Sequence, residues 1–492
     1  MKPGKVLLDK HQYKKVLILG KGPSLTREAF DAAVQGRTVV GINQVAASFP
    51  VDIAFFIDIE PMLEIADSLI ASTCKVVLPW HPNRRTWRKS RSEPLQQSLL
   101  ELASEDGPLS VFERQQRLYY FHTRAPAFGG ELNVFPPNLV SLSSLLQLLA
   151  EAGASDITTL GVDGGRGYSS AIGTSPLGTQ LHNGYDKQFP ILRKIALSKG
   201  LRMERANETP LNIYVGCEPP QELPARVLEH SILRHTSMPV RVHRLNELIE
   251  PGHDAGGRTA FSLQRFMIPT LNRHEGVAVY LDSDMLVYHD VAELLALRDP
   301  QVAITSAEAP PASGRAPQCS VMVIDCARAA WDFDRIVDLS KSTYESAMFD
   351  LSFEPSKRAG LPYQWNSLER FEEGTRLLHF TDMDRQPWIS AVNPLAPIWF
   401  DALFAAMADR QISFDAIVQD VKRGWVRPGL LWQTEHGERN PLALPRAERL
   451  KDELYTPPHT VARFSKHNTP MVRASLAVAK RALHWVRGQR NA

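Results

Sequence analysis

Cysteine is scarce in this sequence. Cys74, Cys217, Cys319 and Cys326 are the four in 492 residues, and no two stand at a metal-site spacing. A zinc ribbon or a disulfide framework is therefore excluded. Flanks such as "STCKVVLP" and "VMVIDC" read as buried strand ends, so free thiols in a reducing cytosol are expected. Long apolar runs are missing as well: no stretch of about 18 such residues suggests a membrane span. The opening "MKPGKVLLDKHQYKKVLILG" has no long apolar core and leads straight into a strand, which argues against a signal peptide. Charge of one sign is also absent. The formal net charge is +2, and no basic–aromatic repeat, zinc-knuckle spacing or basic helix supports a nucleic-acid partner. What is present is a globular composition, 43% hydrophobic and 22% charged. The chain is too long for one ordinary core, so two or three domains are expected.

From Lys14 onward, short apolar runs alternate with stretches of helical periodicity. "KKVLILG", "TVVGIN", "IAFFID", "KVVLP" and "DITTLGVD" are predicted strands, and "SLTREAFDAAV" and "LVSLSSLLQLLAEAG" are predicted helices. This rhythm predicts a mostly parallel sheet covered on both faces. A helix over "DKQFPILRKIALSKGLRM" closes the unit, and the polar "ERANETP" marks a boundary. A second α/β rhythm begins at "LNIYVGCEPP" and runs through "VRVHRL", "VAVYLDSD", "VAITS" and "SVMVIDC". The expected division is a Rossmann-like domain over 1–205, a second α/β domain over 206–420 and a helical basic extension over 421–492. In that extension Arg473, Lys480, Arg481 and Arg487 lie among apolar residues. A solvated helix and a membrane-surface helix both fit this pattern.

The stretch "GVAVYLDSDMLVYHD" sets Asp282 and Asp284 two residues apart between apolar flanks. In extended backbone both side chains project to one side. Two like charges about 4 Å apart repel by roughly 4 kcal/mol at an effective dielectric near 20. Either one carboxylate is protonated or a cation lies between them, and Mg²⁺ or Mn²⁺ suits carboxylate oxygens. A D-x-D triplet also arises by chance, so its placement at the end of an apolar strand matters.

The whole segment "RTAFSLQRFMIPTLNRHEGVAVYLDSDMLVYHDVAEL" resembles the core of the glycogenin-like and lipopolysaccharide-galactosyltransferase-like retaining glycosyltransferases. "IYVGCEPPQ" resembles that family's first strand and nucleotide-contacting loop. "CSVMVIDC", "LPYQWN" and "LLHFTDMDRQPW" resemble its later blocks, so the likeness spans roughly residues 211–400. It implies a GT-A-like nucleotide-sugar transferase domain with Asp282, Asp284 and His379 as metal ligands and Asp282 also at the nucleotide sugar. Arg265 would neighbour the donor, and Arg258 would anchor the sugar or cap its loop. The family's H-x-x-G-x-x-K-P-W block is altered here: Asp382 replaces the glycine and the spacing from His379 to Pro387 is one residue longer. Arg385 is expected to replace the phosphate-facing lysine, with Gln386 as its competitor. No D-Q-x-x-x-N-like segment precedes "LPYQWN". Tyr344 and Glu345 stand near that place, and Gln364 is the candidate for stabilising the transition state.

Upstream, "VLILGKGPSL" places Gly20, Gly22, Pro23 and Ser24 between a strand and a helix, where glycines permit a tight turn and Ser24 could cap the helix. A capped turn with no ligand reads equally from this motif alone. With Asn43, Asp58 and Asp163 following at strand ends, residues 14–190 resemble the bacterial sialyltransferase and motility-associated glycosyltransferase superfamily. The resemblance implies a CMP-ulosonic-acid pocket lined by Gly20, Gly22, Pro23, Ser24 and Asn43. Ser143, Ser144 and Asp163 are further candidate contacts. The general base is His182 or His122, with Arg124 available for a substrate carboxylate. Together the two resemblances imply a cytoplasmic bacterial bifunctional glycosyltransferase of surface polysaccharide or glycolipid synthesis. It would use a UDP-sugar with Mn²⁺ or Mg²⁺ and a CMP-ulosonic acid, acting on a glycan or lipid-linked glycan acceptor. The basic tail would then meet the inner face of the membrane. The rival readings are a single retaining transferase with a noncatalytic N-terminal nucleotide- or glycan-binding domain, and an inactive glycan-binding scaffold.

Overall fold

The computed structural model describes residues 1–8, 15–86, 91–124, 134–136, 141–164, 167–172, 188–249, 261–311, 318–348 and 350–459. The chain divides into two compact units, Met1–Thr209 and Pro210–Ala492.

The first unit holds β1 (Lys2–Pro3), β2 (Lys15–Leu19), β3 (Thr38–Ile42), β4 (Ile53–Phe55) and β5 (Lys75–Pro79). A small hairpin of β6 (Asn83–Thr86) and β7 (Arg91–Pro94) follows, then β8 (Leu118–Phe121), β9 (Asp156–Leu160) and β10 (Arg202–Arg205). Eight of these form one sheet in the order β1-β8-β5-β4-β3-β2-β9-β10. All its neighbours are parallel. Successive residues of β2 serve opposite faces, as a period of two requires. Val16 and Ile18 pack with Leu145, Leu146 and Leu149 of the helix Ser141–Glu151. Leu17 and Leu19 pack with Phe30 of the helix Arg27–Ala33. Burial on both faces explains why these strands are apolar throughout. From β2 the chain winds to one side through β3, β4, β5 and β8, then crosses to β9 on the other side. The carboxyl ends of β2 and β9 are therefore the topological switch point, where open α/β sheets place ligands.

The five strands predicted from the sequence are all present. The strands at "LYYF" and "RMER" were not anticipated. The closing helix stops at Ser198 rather than continuing through Met203, because Gly200 adopts a left-handed φ of 71° and Arg202 begins edge strand β10.

The second unit holds β11 (Leu211–Gly216), β12 (Val240–Arg244), β13 (Val277–Asp282), β14 (Met285–Val287) and β15 (Ile304–Ala307). After these come β16 (Gln318–Asp325), β17 (Lys357–Leu361), β18 (Ser367–Leu368) and β19 (Leu377–His379). Six form a mixed sheet, β12-β11-β13-β16-β15-β17, and three form a smaller one, β14-β19-β18. The antiparallel neighbours in the larger sheet are β13 with β16 and β15 with β16. Central β13 is buried on both sides: Val279 and Leu281 meet Leu228 and Ile232, while Ala278 and Tyr280 meet Phe266 and Ile336. The α/β class expected from the sequence holds in both units.

The extension expected to begin at 421 is, through residue 459, part of the second unit. Val426 and Leu430 share a core with Phe380, Trp388 and Trp399. The reason is a fully buried cation, Arg427. Its Nε donates to the Pro387 carbonyl at 2.9 Å and its backbone N–H to the Trp388 carbonyl at 2.9 Å. One guanidinium nitrogen meets Asp452 Oδ2 at 2.6 Å and another meets Gln433. Asp452 Oδ1 accepts from the Gly429 N–H at 2.6 Å. Arg473, Lys480, Arg481 and Arg487 lie outside the described residues. Among the described residues no helix is long and apolar enough to cross a membrane. All four cysteines are free thiols, and Cys74, Cys217 and Cys326 are buried.

Removing one partner of a buried ion pair costs about 3–5 kcal/mol, whereas an apolar replacement of both is often tolerated. Asp452→Ala should lower the stability of the second unit by about that amount in urea unfolding. The double variant Arg427→Met/Asp452→Leu should recover part of the loss.

Candidate metal centre and glycine loop

Strand β13 stays apolar until its last residue, Asp282, which lies opposite Gly216 of β11. There the chain leaves the larger sheet. The Ser283 N–H still donates to the Gly216 carbonyl at 3.1 Å, but the Asp284 carbonyl accepts from Phe380, and Met285 opens β14 opposite His379. The divergence of the two sheets thus sets both carboxylates beside the imidazole. One ligand atom from each of Asp282, Asp284 and His379 lies within 4.8 Å of the others.

Each of the three has a distinct partner. The Tyr280 hydroxyl donates to Asp282 Oδ1 at 2.6 Å. Gln386 Nε2 donates to Asp284 Oδ2 at 2.8 Å and to the Phe380 carbonyl at 3.0 Å. His379 Nδ1 lies 2.8 Å from Asn366 Oδ1. An amide oxygen only accepts, so Nδ1 carries the proton and a neutral His379 presents the Nε2 lone pair. That Nε2 approaches Asp284 Oδ1 to 3.1 Å without hydrogen-bond geometry, leaving Oδ1 buried with no donor. Burial raises the Asp282 pKa, repulsion from Asp284 raises it further, and Arg265, His379 and Tyr280 offset this only in part. Burial lowers the His379 pKa, but attraction to Asp284 and Asp282 carries it above the ordinary histidine value. These groups are short of positive charge. Two carboxylates, one imidazole of set tautomer and an orphaned buried oxygen fit a divalent cation of the Mn²⁺ or Mg²⁺ kind.

Arg265, in a one-turn segment after the helix Phe261–Gln264, donates to the Cys319 carbonyl at 3.1 Å and lies over the Tyr280 ring at 5.5 Å. Its charge acts on Asp282. The site assignments at 385 and 364 change. Arg385 is exposed and bonds the Val392 carbonyl at 3.3 Å, whereas Gln386 turns inward onto Asp284. The extra residue in this block is taken up by a turn in which the Arg385 N–H donates to the Asp382 carbonyl at 2.8 Å. Gln364 is half-buried and its side chain makes no hydrogen bond to the acidic pair; Asn366, two residues on, holds the metal-site histidine. Sequence reading missed Asn366 although it ends the quoted "LPYQWN". Tyr344 is half-buried near Arg265, and the Glu345 side chain lies outside the described residues, as does Arg258.

In the first unit, Gly20, Gly22, Ser24 and Asp163 meet at the switch point. Ser24 donates its N–H and its hydroxyl to the two Asp163 oxygens, both at 2.7 Å, and Ser24 Oγ accepts from the Gly161 N–H at 2.9 Å. The Gly22 N–H donates to the Gly161 carbonyl at 2.6 Å. A Cβ at Gly20 would strike that carbonyl, and one at Gly22 would strike the Asp163 carboxylate. The glycines are thus required by two loops packed together, with Asp163 on the amide that an anion would use. Pro23 abuts Gly167, and Asn43 turns the chain after β3 with a left-handed φ of 56°. Ser24 does not cap the following helix. Thr26 does, accepting from the Ala29 N–H, because the helix starts at Arg27. Ser143 is fully buried within its helix and offers no surface to a ligand, and Ser144 bonds the Phe135 carbonyl. His122, half-buried at the end of β8, stands edge-on to Tyr120, and burial and His81 lower its pKa. Arg124 is exposed, and His182 lies outside the described residues.

No family model matches the chain. It is similar to Protein CDI of Arabidopsis thaliana, with 33% identity over 106 residues, 20% of this chain and 41% of that protein. The chain thus spans less than half the length of this relative. Among solved structures it is similar to the glycosyltransferase GlyE of Streptococcus pneumoniae TIGR4 at 15% identity and a TM-score of 0.35, over 42% of this chain and 63% of that one. It is similar to the WbbM bifunctional glycosyltransferase at 12% identity and a TM-score of 0.31, over 48% and 62%. A galactosyltransferase, LgtC, solved with donor and acceptor sugar analogues, gives 9% identity and a TM-score of 0.31, over 41% and 96%.

The collision geometry gives a test that needs no ligand. Gly20→Ala forces the Gly161 backbone to shift and should destabilise the first unit by about 1–3 kcal/mol in thermal unfolding.

Proposed function

We propose that the second unit is a metal-dependent retaining glycosyltransferase that takes a UDP-sugar. The observation that carries this reading is the convergence of Asp282, Asp284 and His379 around a buried carboxylate oxygen without a donor. A divalent cation held by these three would supply positive charge to a departing diphosphate. The chain's own residues do the rest. Tyr280, Gln386 and Asn366 hold the ligands in place, and the loop after Gly216 runs beside Asp282 where a nucleotide would lie. Arg265 keeps a positive charge behind Asp282, and Arg385, on the exposed turn next to Gln386, is the proposed diphosphate-facing cation. Gln364 is the proposed stabiliser of the transition state. Retention of configuration follows from the family resemblance of residues 211–400.

A second reading concerns the first unit, as a CMP-ulosonic-acid transferase with His182 as base. It is favoured by the glycine loop and Asn43 at the carboxyl ends of a parallel sheet, beside its switch point. Asp163 already accepts from Ser24, so a donor phosphate would have to compete with that carboxylate. The acceptor is a glycan or lipid-linked glycan of a bacterial surface, and the tail from residue 460 is the proposed membrane contact.

Nucleotide release from UDP-sugar and CMP-sugar panels tests both readings on the full chain. Asp284→Asn should lower UDP release by about a hundredfold or more, since the lost charge stabilisation is several kcal/mol and each 1.36 kcal/mol is tenfold. It should leave CMP release unchanged, and His182→Ala should do the reverse. Chelation should stop UDP release and Mn²⁺ should restore it. Transfer from UDP-sugar that is indifferent to metal would overturn the first reading, and absence of CMP-sugar binding and turnover would leave one transferase with a noncatalytic first unit.

A further inference from the structure

Each ligand side chain of the acidic centre is engaged on one atom by a neutral partner. Tyr280 holds Asp282 by Oδ1, Gln386 holds Asp284 by Oδ2, and Asn366 holds His379 by Nδ1. The remaining atoms are Asp282 Oδ2, Asp284 Oδ1 and His379 Nε2. Among the described residues none of these three accepts a hydrogen bond. The partners are themselves rigid. Tyr280 is fully buried in β13, Asn366 is 1% exposed in the turn before β18, and Gln386 is 4% exposed. Gln386 is anchored by its second bond to the Phe380 carbonyl. All three are uncharged, so the two negative charges of the pair are left for a divalent ion.

This arrangement has a chemical consequence. A carboxylate whose second oxygen is committed to a buried donor is poorly placed to chelate through both oxygens. Ca²⁺ takes six to eight oxygen ligands and often uses bidentate carboxylates, whereas Mg²⁺ is satisfied by single oxygens in an octahedron that keeps several waters. Imidazole nitrogen moves the preference further toward transition ions such as Mn²⁺. We infer that Tyr280, Gln386 and Asn366 are specificity-determining residues that impose one ligand atom per side chain and so select Mn²⁺ or Mg²⁺ over Ca²⁺. The inference rests on the reading that Asp282, Asp284 and His379 hold a cation.

The test is binding and needs no turnover. Mn²⁺ binding to the full chain in the presence of UDP is followed by electron paramagnetic resonance and competed with Ca²⁺. In Gln386→Ala and in Tyr280→Phe the preference for Mn²⁺ over Ca²⁺ should fall by about tenfold, because a second carboxylate oxygen is released. Tyr280→Phe keeps the ring and removes only the hydroxyl, which separates loss of the hydrogen bond from a packing defect. Asn366→Leu should weaken Mn²⁺ binding by about 10–100-fold. Folded Gln386→Ala and Tyr280→Phe variants that bind Mn²⁺ with the wild-type preference would overturn the inference while leaving the transferase reading intact. A wild-type chain that binds no Mn²⁺ at all would overturn the cation site itself.

Discussion

The repulsion between Asp282 and Asp284 at the end of a buried strand is the constraint around which the second unit is organised. Two carboxylates at that depth need positive charge or donors within a few ångströms. The protein supplies a phenol, an amide and a buried arginine, and it stops short of neutrality. Asp284 keeps one buried oxygen without a donor, and burial and mutual repulsion hold Asp282 above its ordinary pKa. A purely structural pair would have been satisfied completely, since each orphaned polar group is destabilising. The deficit is what gives the centre an affinity for a cation.

The surrounding fold maintains that geometry from a distance. Gln386 reaches Asp284 because the next residues, Pro387 and Trp388, are fastened by Arg427. Arg427 is fastened in turn by Asp452, near the end of the described chain. The helices beyond residue 421 are thus part of the support of the acidic centre. The same logic places Asn366, in the turn before β18, against a histidine on the neighbouring strand β19.

The first unit meets a comparable problem with a different solution. Asp163 sits at the switch point of the parallel sheet, but Ser24 satisfies both of its oxygens and Arg205 lies 3.5 Å from one of them. Its charge is compensated within the protein, by the donors of the glycine loop. The conformational freedom of Gly20 and Gly22 is spent on bringing two loops into contact. One acidic residue at a strand end can therefore close a loop, while two at another create a demand for an external ion.

Much of this was legible in the sequence. The parallel strands of the first unit and the apolar strand leading to the acidic pair were visible because side-chain alternation and β-branched runs are local properties. So were Asp282 and Asp284, since their spacing alone sets them on one side of an extended chain. Tertiary structure alone decided which far-separated residues complete the centre. Nothing local distinguishes Asn366 from Gln364, or Gln386 from Arg385, because which neighbour turns inward depends on a turn at Asp382 and on an arginine buried elsewhere. It also decided that Ser143 is core and that Asp163 closes the glycine loop, because burial and pairing are set by what the rest of the chain packs against, which no short stretch contains.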